Sequence, residues 1–259
     1  MGLKILKVGG SLITDRLKDY PCVDEKNLDR ICEEIATYKG PLILVHGAGN
    51  YGHPIVKKTG IHLGIKNEAQ KLAFGETQRL QKELNSIVCK KLIEKGVPVF
   101  PINASSSAIM ENGVLKKMDI NVIKGVLDLG MIPVLYGVPA YDVVKGCSIL
   151  SGDEIVAFLG KKLGAELIIH ATDVDGIFSE DPKKNPNAVL FEKITPKLLE
   201  EIQLSGSVHT DVTGGMWKKV KHILEVGIPT LIINGLVKGN IEKALNGKSV
   251  KGTWIVVSE

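Results

Sequence analysis

The sequence predicts an α/β fold in which a largely parallel sheet is covered by helices on both faces, and three observations lead there. Short apolar runs rich in valine and isoleucine recur along the chain and end in glycine or a polar turn, as strands buried on both faces do. Stretches with the apolar spacing of helices lie between them. At 259 residues the chain is long enough to bury a sizeable core around such a sheet.

Each element has its own signal. Strands are expected at residues 5–8, 42–45, 97–102, 132–135, 167–169, 230–233 and 254–257. Leu28, Ile31, Ile35 and Ala36 share one helical face. Leu72, Leu80, Leu84, Ile87, Val88 and Leu92 mark a longer helix. Ile120, Ile123 and Leu127 mark a third, and Ile155, Phe158 and Leu159 a fourth. Two places break the alternation. Asn112-Gly113 inside residues 108–118 is the strongest hairpin signal in the chain, and a second hairpin is expected over residues 136–150 with Lys145-Gly146 at its turn. Prolines and asparagines concentrated in residues 180–189 read as a surface loop. With no repeat, low-complexity tract or linker, the expectation is one domain over residues 1–259, with lobes of 1–150 and 151–259.

Composition narrows the function. Hydrophobic residues are 44% and charged residues 24%, and no run approaches the roughly 18 apolar residues that span a membrane. The opening "MGLKILKVGG" reads as strand, too soon interrupted by glycine for a signal peptide, so a cytoplasmic protein is expected. Cys22, Cys32, Cys89 and Cys147 lack C-x-x-C spacing and paired histidines, which points to reduced structural thiols and no metal site. The net charge of +4, with no basic run interleaved with aromatics, favours a small anionic ligand over nucleic acid.

Four glycine-bearing clusters stand where strands end or helices begin, the edge at which open α/β sheets bind ligands. Lys7-Val8-Gly9-Gly10-Ser11 suits a phosphate cradle of backbone N–H groups beside a lysine, and equally a tight turn beside a solvated lysine. Gly47, Gly49 and Gly52 have G-x-G-x-x-G spacing, yet no second strand ending in an acid follows about 20 residues on; Glu68 lies in a helical stretch instead. The dinucleotide reading fails there, and an NAD-dependent dehydrogenase with it. Pro54 suits the first turn of a helix, which leaves His53 at that helix's positive end as an anion ligand or as a packing histidine. Ser151 and Glu154 form a capping box, with Asp153 free to orient lysines. Asp173 and Asp175-Gly176 read as turn chemistry or a ligand edge. Thr213-Gly214-Gly215 heads a helix with Lys218 and Lys219 one turn in, either an anion site or a bare helix start.

The order of these clusters, "KVGGS", "VHGAGNYGHP", "LSGDE", "TDVDGIF" followed by "DPKKNP", and "DVTGGMWKK", resembles the amino acid kinase superfamily over residues 4 to about 253. Within it, His53 and the "DVTGGM" run resemble the isopentenyl phosphate kinases. The resemblance implies an open αβα sandwich with a mainly parallel sheet, ATP over the carboxyl-terminal lobe and the phosphoryl acceptor over the amino-terminal lobe. It implies a reaction of ATP with isopentenyl phosphate to give isopentenyl diphosphate, with Mg2+ held mainly by nucleotide phosphates. It further implies that Lys7, Gly9, Gly10 and Ser11 hold the transferring phosphoryl group and that Lys219 contacts the β- and γ-phosphates. Ala48 and Gly49 would present N–H groups to the phosphates, His53 and Gly152 would contact the acceptor, and Asp153 would keep the lysines in register. Asp173, Phe178 and Gly215 fall where members contact the nucleotide, and members commonly form homodimers.

Three departures stand out. Arg16 replaces a lysine, keeping charge with a different shape. Tyr136-Gly137-Val138 replaces Tyr-Gly-Asp, with Asp142 nearby, and the run Ser105-Ser106-Ser107 matches the acceptor-lobe pattern only loosely. A kinase of the same fold for another small anion (an acylamino acid, nucleoside monophosphate, carbamate or phosphonate) therefore stands as an alternative, as does a nucleotide-binding regulator without catalysis.

Overall fold

The computed structural model describes residues 1–15, 17–182, 184–204 and 214–257. Its strands are β1 (Lys4–Val8), β2 (Leu42–His46), β3 (Val99–Pro101), β4 (Ala108–Glu111), β5 (Val114–Met118), β6 (Ile132–Tyr136) and β7 (Val138–Asp142). They continue with β8 (Gly146–Leu150), β9 (Leu167–Thr172), β10 (Ile177–Phe178), β11 (Leu190–Phe191), β12 (Lys193–Ile194), β13 (Thr230–Asn234) and β14 (Gly252–Ile255). The helices are α1 (Gly10–Ile13), α2 (Glu25–Ala36), α3 (His53–Thr59), α4 (Glu68–Glu94), α5 (Asn121–Asp128), α6 (Gly152–Leu163), α7 (Pro196–Leu204), α8 (Gly214–Val226) and α9 (Asn240–Leu245).

All seven expected strands fall in one eight-stranded sheet of order β12-β14-β13-β9-β1-β2-β6-β3. Pairing is parallel except between β13 and β14, so the mainly parallel sheet is observed. The added strand, β12, has only two residues, too few for a period to show. Successive side chains of a strand point to opposite faces, and β1 is divided between two cores for that reason. Leu6 and Val8 join the core with Leu28, Ile31 and Ile35 of α2, Leu84 and Val88 of α4, and Ile241 of α9. Ile5 faces the other way, onto Ile155, Val156 and Leu159 of α6. Lys7 shares that second face, and this parity aims its ammonium toward the start of α6.

β1 lies at the centre of the sheet between β2 and β9. The chain leaves it toward one neighbour first and reaches the other only after β8, so the loops after β1, β2 and β9 open a crevice at their carboxyl ends. Backbones meet there: a Cβ on Gly10 would strike Gly49 N, which is why glycine stands after β1. Both hairpins form. Asn112 and Gly113 turn the first at φ 50° and 86°, the geometry of a two-residue I′ turn. The second turns over residues 143–145, with β8 starting at Gly146. The hairpins join in one four-stranded sheet, β5-β4-β7-β8.

Candidate active site

Lys7, Gly10, Ala48, His53, Gly152 and Asp153 line a single cavity of about 600 Å3 at the carboxyl ends of β1 and β2. His53 opens α3 with Pro54 behind it in the first turn, as expected, and Gly60 ends that helix in the left-handed conformation. Ser11, Gly49, Asn50 and His53 line an adjoining cleft, so His53 stands at the boundary of the two. Gly152 gives the Lys7 stem room, since a Cβ there would stand 3.2 Å from Lys7 Cε.

Asp153 is the hub. Its Oδ1 is 2.7 Å from Lys7 Nζ and 3.3 Å from Lys219 Nζ. His170 Nδ1 also stands 3.3 Å from that oxygen. Burial alone would raise the Asp153 pKa, but the imidazole of His170 and the ammonium groups of Lys7 and Lys219 overcome it and hold the carboxyl well below the ordinary range. For Lys219, desolvation lowers the pKa, Asp153 opposes that, and Lys7 adds to it. The arrangement is two cations on one carboxylate at the rim of a cavity, able to flank an anion that arrives between them.

The capping box is half made. Ser151 Oγ accepts from Glu154 N at 3.1 Å, but the Glu154 carboxylate reaches the hairpin and takes Leu115 N at 2.5 Å. One acid thus ties the start of α6, and with it Asp153, to the β4–β5 hairpin. Asp142 is fully buried and accepts from Asn112 N, Gly113 N, Val144 N and Lys145 N at 2.8–3.1 Å. It holds both hairpin turns and is absent from the cavity wall, so it does not supply the carboxylate that Val138 lacks; Val138 itself lines the cavity. Ser105 is engaged with Asn103 and Gln78 outside that wall.

Other expected residues lie apart. The Gly9 N–H donates to Ala171 O at 3.0 Å, which fixes the start of the loop. Asp173 follows β9 and Phe178 ends β10, neither on the cavity wall, and Gly215 falls in the first turn of α8. Arg16 and Thr213 lie outside the described residues. The sequence reading passed over several lining residues, namely Thr77 and Gln81 of α4, Lys57 and His62. For Thr77 and Gln81 a signal existed: with Asn85 they recur every four residues beside the Leu80, Leu84, Val88 stripe, on a face that is buried. His170 carried no local signal, because only the register of β9 against β1 sets it opposite Lys7.

The sequence profile of the amino acid kinase family matches residues 2–234. The chain is 39% identical to the isopentenyl phosphate kinase of Methanothermobacter thermautotrophicus, covering 97% of this chain and 98% of that one. It is 36% identical to the enzyme of the same name from Methanocaldococcus jannaschii, over 99% of this chain and all of that one. A crystal structure of an isopentenyl phosphate kinase superposes with a TM-score of 0.86 at 36% identity, covering 98% of this chain and 100% of the other.

Proposed function

The chain belongs to the amino acid kinase family, and from that membership we propose that it transfers the γ-phosphoryl group of ATP to isopentenyl phosphate, giving isopentenyl diphosphate and ADP for isoprenoid synthesis. The observation that carries this is the convergence of Lys7 and Lys219 on Asp153, at the mouth of a cavity whose wall also holds His53 and Ala48. The relatives named isopentenyl phosphate kinase, matched over nearly the whole chain, supply the acceptor.

Transfer between two phosphates needs alignment and charge neutralisation more than covalent chemistry. The acceptor oxygen is already ionised, so no general base is required, and Asp153, held ionised between its cations, has no proton to give. Its task is to set Lys7 and Lys219 on either side of the transferring group. Among the described residues nothing accepts from Ala48 N or Gly49 N, and both stand at the end of β2, ready for phosphate oxygens. His53 donates an N–H to the acceptor phosphate. Desolvation, and then the charge of Lys7, lower its pKa below the ordinary imidazole value, so it serves near neutral pH as an uncharged donor.

The described residues contain no group of three or more His, Cys, Asp or Glu that could hold a metal, and in this reading the ion is carried on the nucleotide. When bound, Mg2+ neutralises charge on the β- and γ-phosphates. In this reading ATP lies over residues 151–259, against Asp173, Phe178 and Gly215, and the acceptor over 1–150. The resemblance also supports a homodimer. Four unpaired cysteines, of which buried Cys32 is pushed up to about 12 by burial, suit a reducing cytoplasm.

The experiment is ATP-dependent conversion of a substrate panel (isopentenyl phosphate, acylamino acids, nucleoside monophosphates, carbamate, phosphonates) by wild type, Lys7→Ala and His53→Ala. Isopentenyl diphosphate is expected from wild type, and loss of turnover in both variants. Preference of the wild type for a carboxylate acceptor, or unchanged turnover in both variants, overturns the proposal.

A further inference from the structure

The amides that meet the phosphates are themselves gripped from behind. A trans peptide is planar, and its N–H and C=O point in opposite directions. Gly47 C=O belongs to the same peptide as Ala48 N–H, and Ala48 C=O to the same peptide as Gly49 N–H. Whatever holds those two carbonyls therefore aims those two donors.

Gly47 O lies 3.0 Å from His46 Nδ1. A carbonyl only accepts, so Nδ1 carries the proton, and Nε2 offers its lone pair to Asn85 Nδ2 at 3.1 Å. Burial lowers the His46 pKa to about 4, against the Gly47 bond, which keeps this single-proton form near neutral pH. Stacking on Tyr136, with ring centroids 5.4 Å apart, fixes the ring plane. Ala48 O accepts from Tyr51 N at 3.2 Å and from Gln81 Nε2 at 3.4 Å. The orientation of Gln81 obeys the same rule: its NH2 must face the carbonyl, which leaves Oε1 buried without a partner. Thr77, Gln81 and Asn85 make a polar stripe along α4 that is at most 3% exposed. Apolar side chains would pack that face without the penalty of an unpaired oxygen, so the stripe calls for another reason.

We propose that His46, held by Asn85, and Gln81 are positioning residues that fix the direction of the Ala48 and Gly49 N–H groups and so set phosphate alignment at this loop. This rests on the phosphoryl-transfer function proposed above.

The test uses the full chain. Wild type, His46→Leu, His46→Asn and Gln81→Met are assayed with ATP and isopentenyl phosphate, and the Ala48 and Gly49 amide signals of 15N-labelled protein are followed as isopentenyl phosphate is added. His46→Leu and Gln81→Met are expected to lose about 10–100-fold in kcat, by analogy with loss of an oxyanion donor, with less than about threefold change in acceptor KM. His46→Asn places its NH2 near the lost Nδ1 and is expected to recover to within about threefold of wild type, a rescue that a packing role would not give. The shift of the Ala48 amide on binding is expected to vanish in His46→Leu, and that of the Gly49 amide in Gln81→Met. A kcat within about twofold of wild type in both of those variants, or His46→Asn no better than His46→Leu, overturns the proposal. Gln81 lines the cavity, and if the His46 variants do not fold, the kcat and amide signals of Gln81→Met decide alone. If wild type yields no diphosphate, the acceptor reading fails separately. Inorganic phosphate then replaces the acceptor in the titration, where shifts persisting in the folded variants overturn the positioning role and their loss supports it.

Discussion

Asp153 shows how much of the site depends on single atoms. One carboxylate oxygen meets Lys7, Lys219 and His170, and its neighbour on the helix, Glu154, anchors the same turn to the hairpin. Asp153→Asn keeps the shape but removes the charge that holds two ammonium groups together. It is expected to lower kcat by about 100-fold or more, with smaller changes in either KM, measured by steady-state kinetics. His53→Ala acts on the other partner, and beside its loss of turnover the residual activity is expected to show a KM for isopentenyl phosphate raised about tenfold, with that for ATP within about threefold. Equal effects on both substrates would remove His53 from the acceptor side.

At the scale of elements, short polar contacts rather than propensity decide how helices meet. Glu34 of α2 is 6% exposed, pairs with Arg30 at 2.6 Å, and accepts from Gly239 N, Ile241 N and Glu242 N at 2.9–3.3 Å at the start of α9. Glu34→Ala removes the carboxylate partner of Arg30, which keeps its bonds to Asn27 and Gly235 O, and leaves three amides without their acceptor; it is expected to destabilise the fold by about 3–5 kcal/mol, read by denaturant unfolding, with Glu34→Gln costing less. The elements themselves were legible because burial on both faces forces valine and isoleucine into β1, β2, β6, β9 and β13, and the Asn112-Gly113 turn needs positive φ. The long helix was legible too, although it starts at Glu68 under an Asn67 cap. Contacts set by register were not. Nothing near Glu34 in sequence marks its bond to α9, about 200 residues on, and nothing near His170 marks Asp153. In the same way Asp142, close to a motif that lacks an acid, proved to hold two turns.

For the whole molecule, the buried imidazoles set a pH limit. His46 and His170 are both almost fully buried, and burial is the main cause that lowers each pKa to about 4, against about 6.5 in an unfolded chain. The unfolded chain therefore binds more protons between those values, and the contribution of these two histidines to stability is constant above about pH 7 and falls as pH drops from 6.5 toward 4. At pH 5 the loss is about 2 kcal/mol for each histidine, and the melting temperature is expected to fall accordingly between pH 7 and pH 5. His170→Asn is expected to flatten that decline, and an equal slope in wild type and variant would show that His170 does not contribute.

The central place of β1 has one more consequence, for the order in which the molecule comes into being. Residues 4–8 are made before the other strands of the sheet, and they pair with residues 42–46 on one edge, but the other edge waits for residues 167–171. A growing chain thus carries Ile5, Leu6 and Val8 in a half-paired strand until residues 167–171 have been synthesised. Loop closure over that span makes the final pairing slow compared with the local hairpins. The crevice at the carboxyl ends of β1, β2 and β9 takes shape, for the same reason, only once that distant pairing is made.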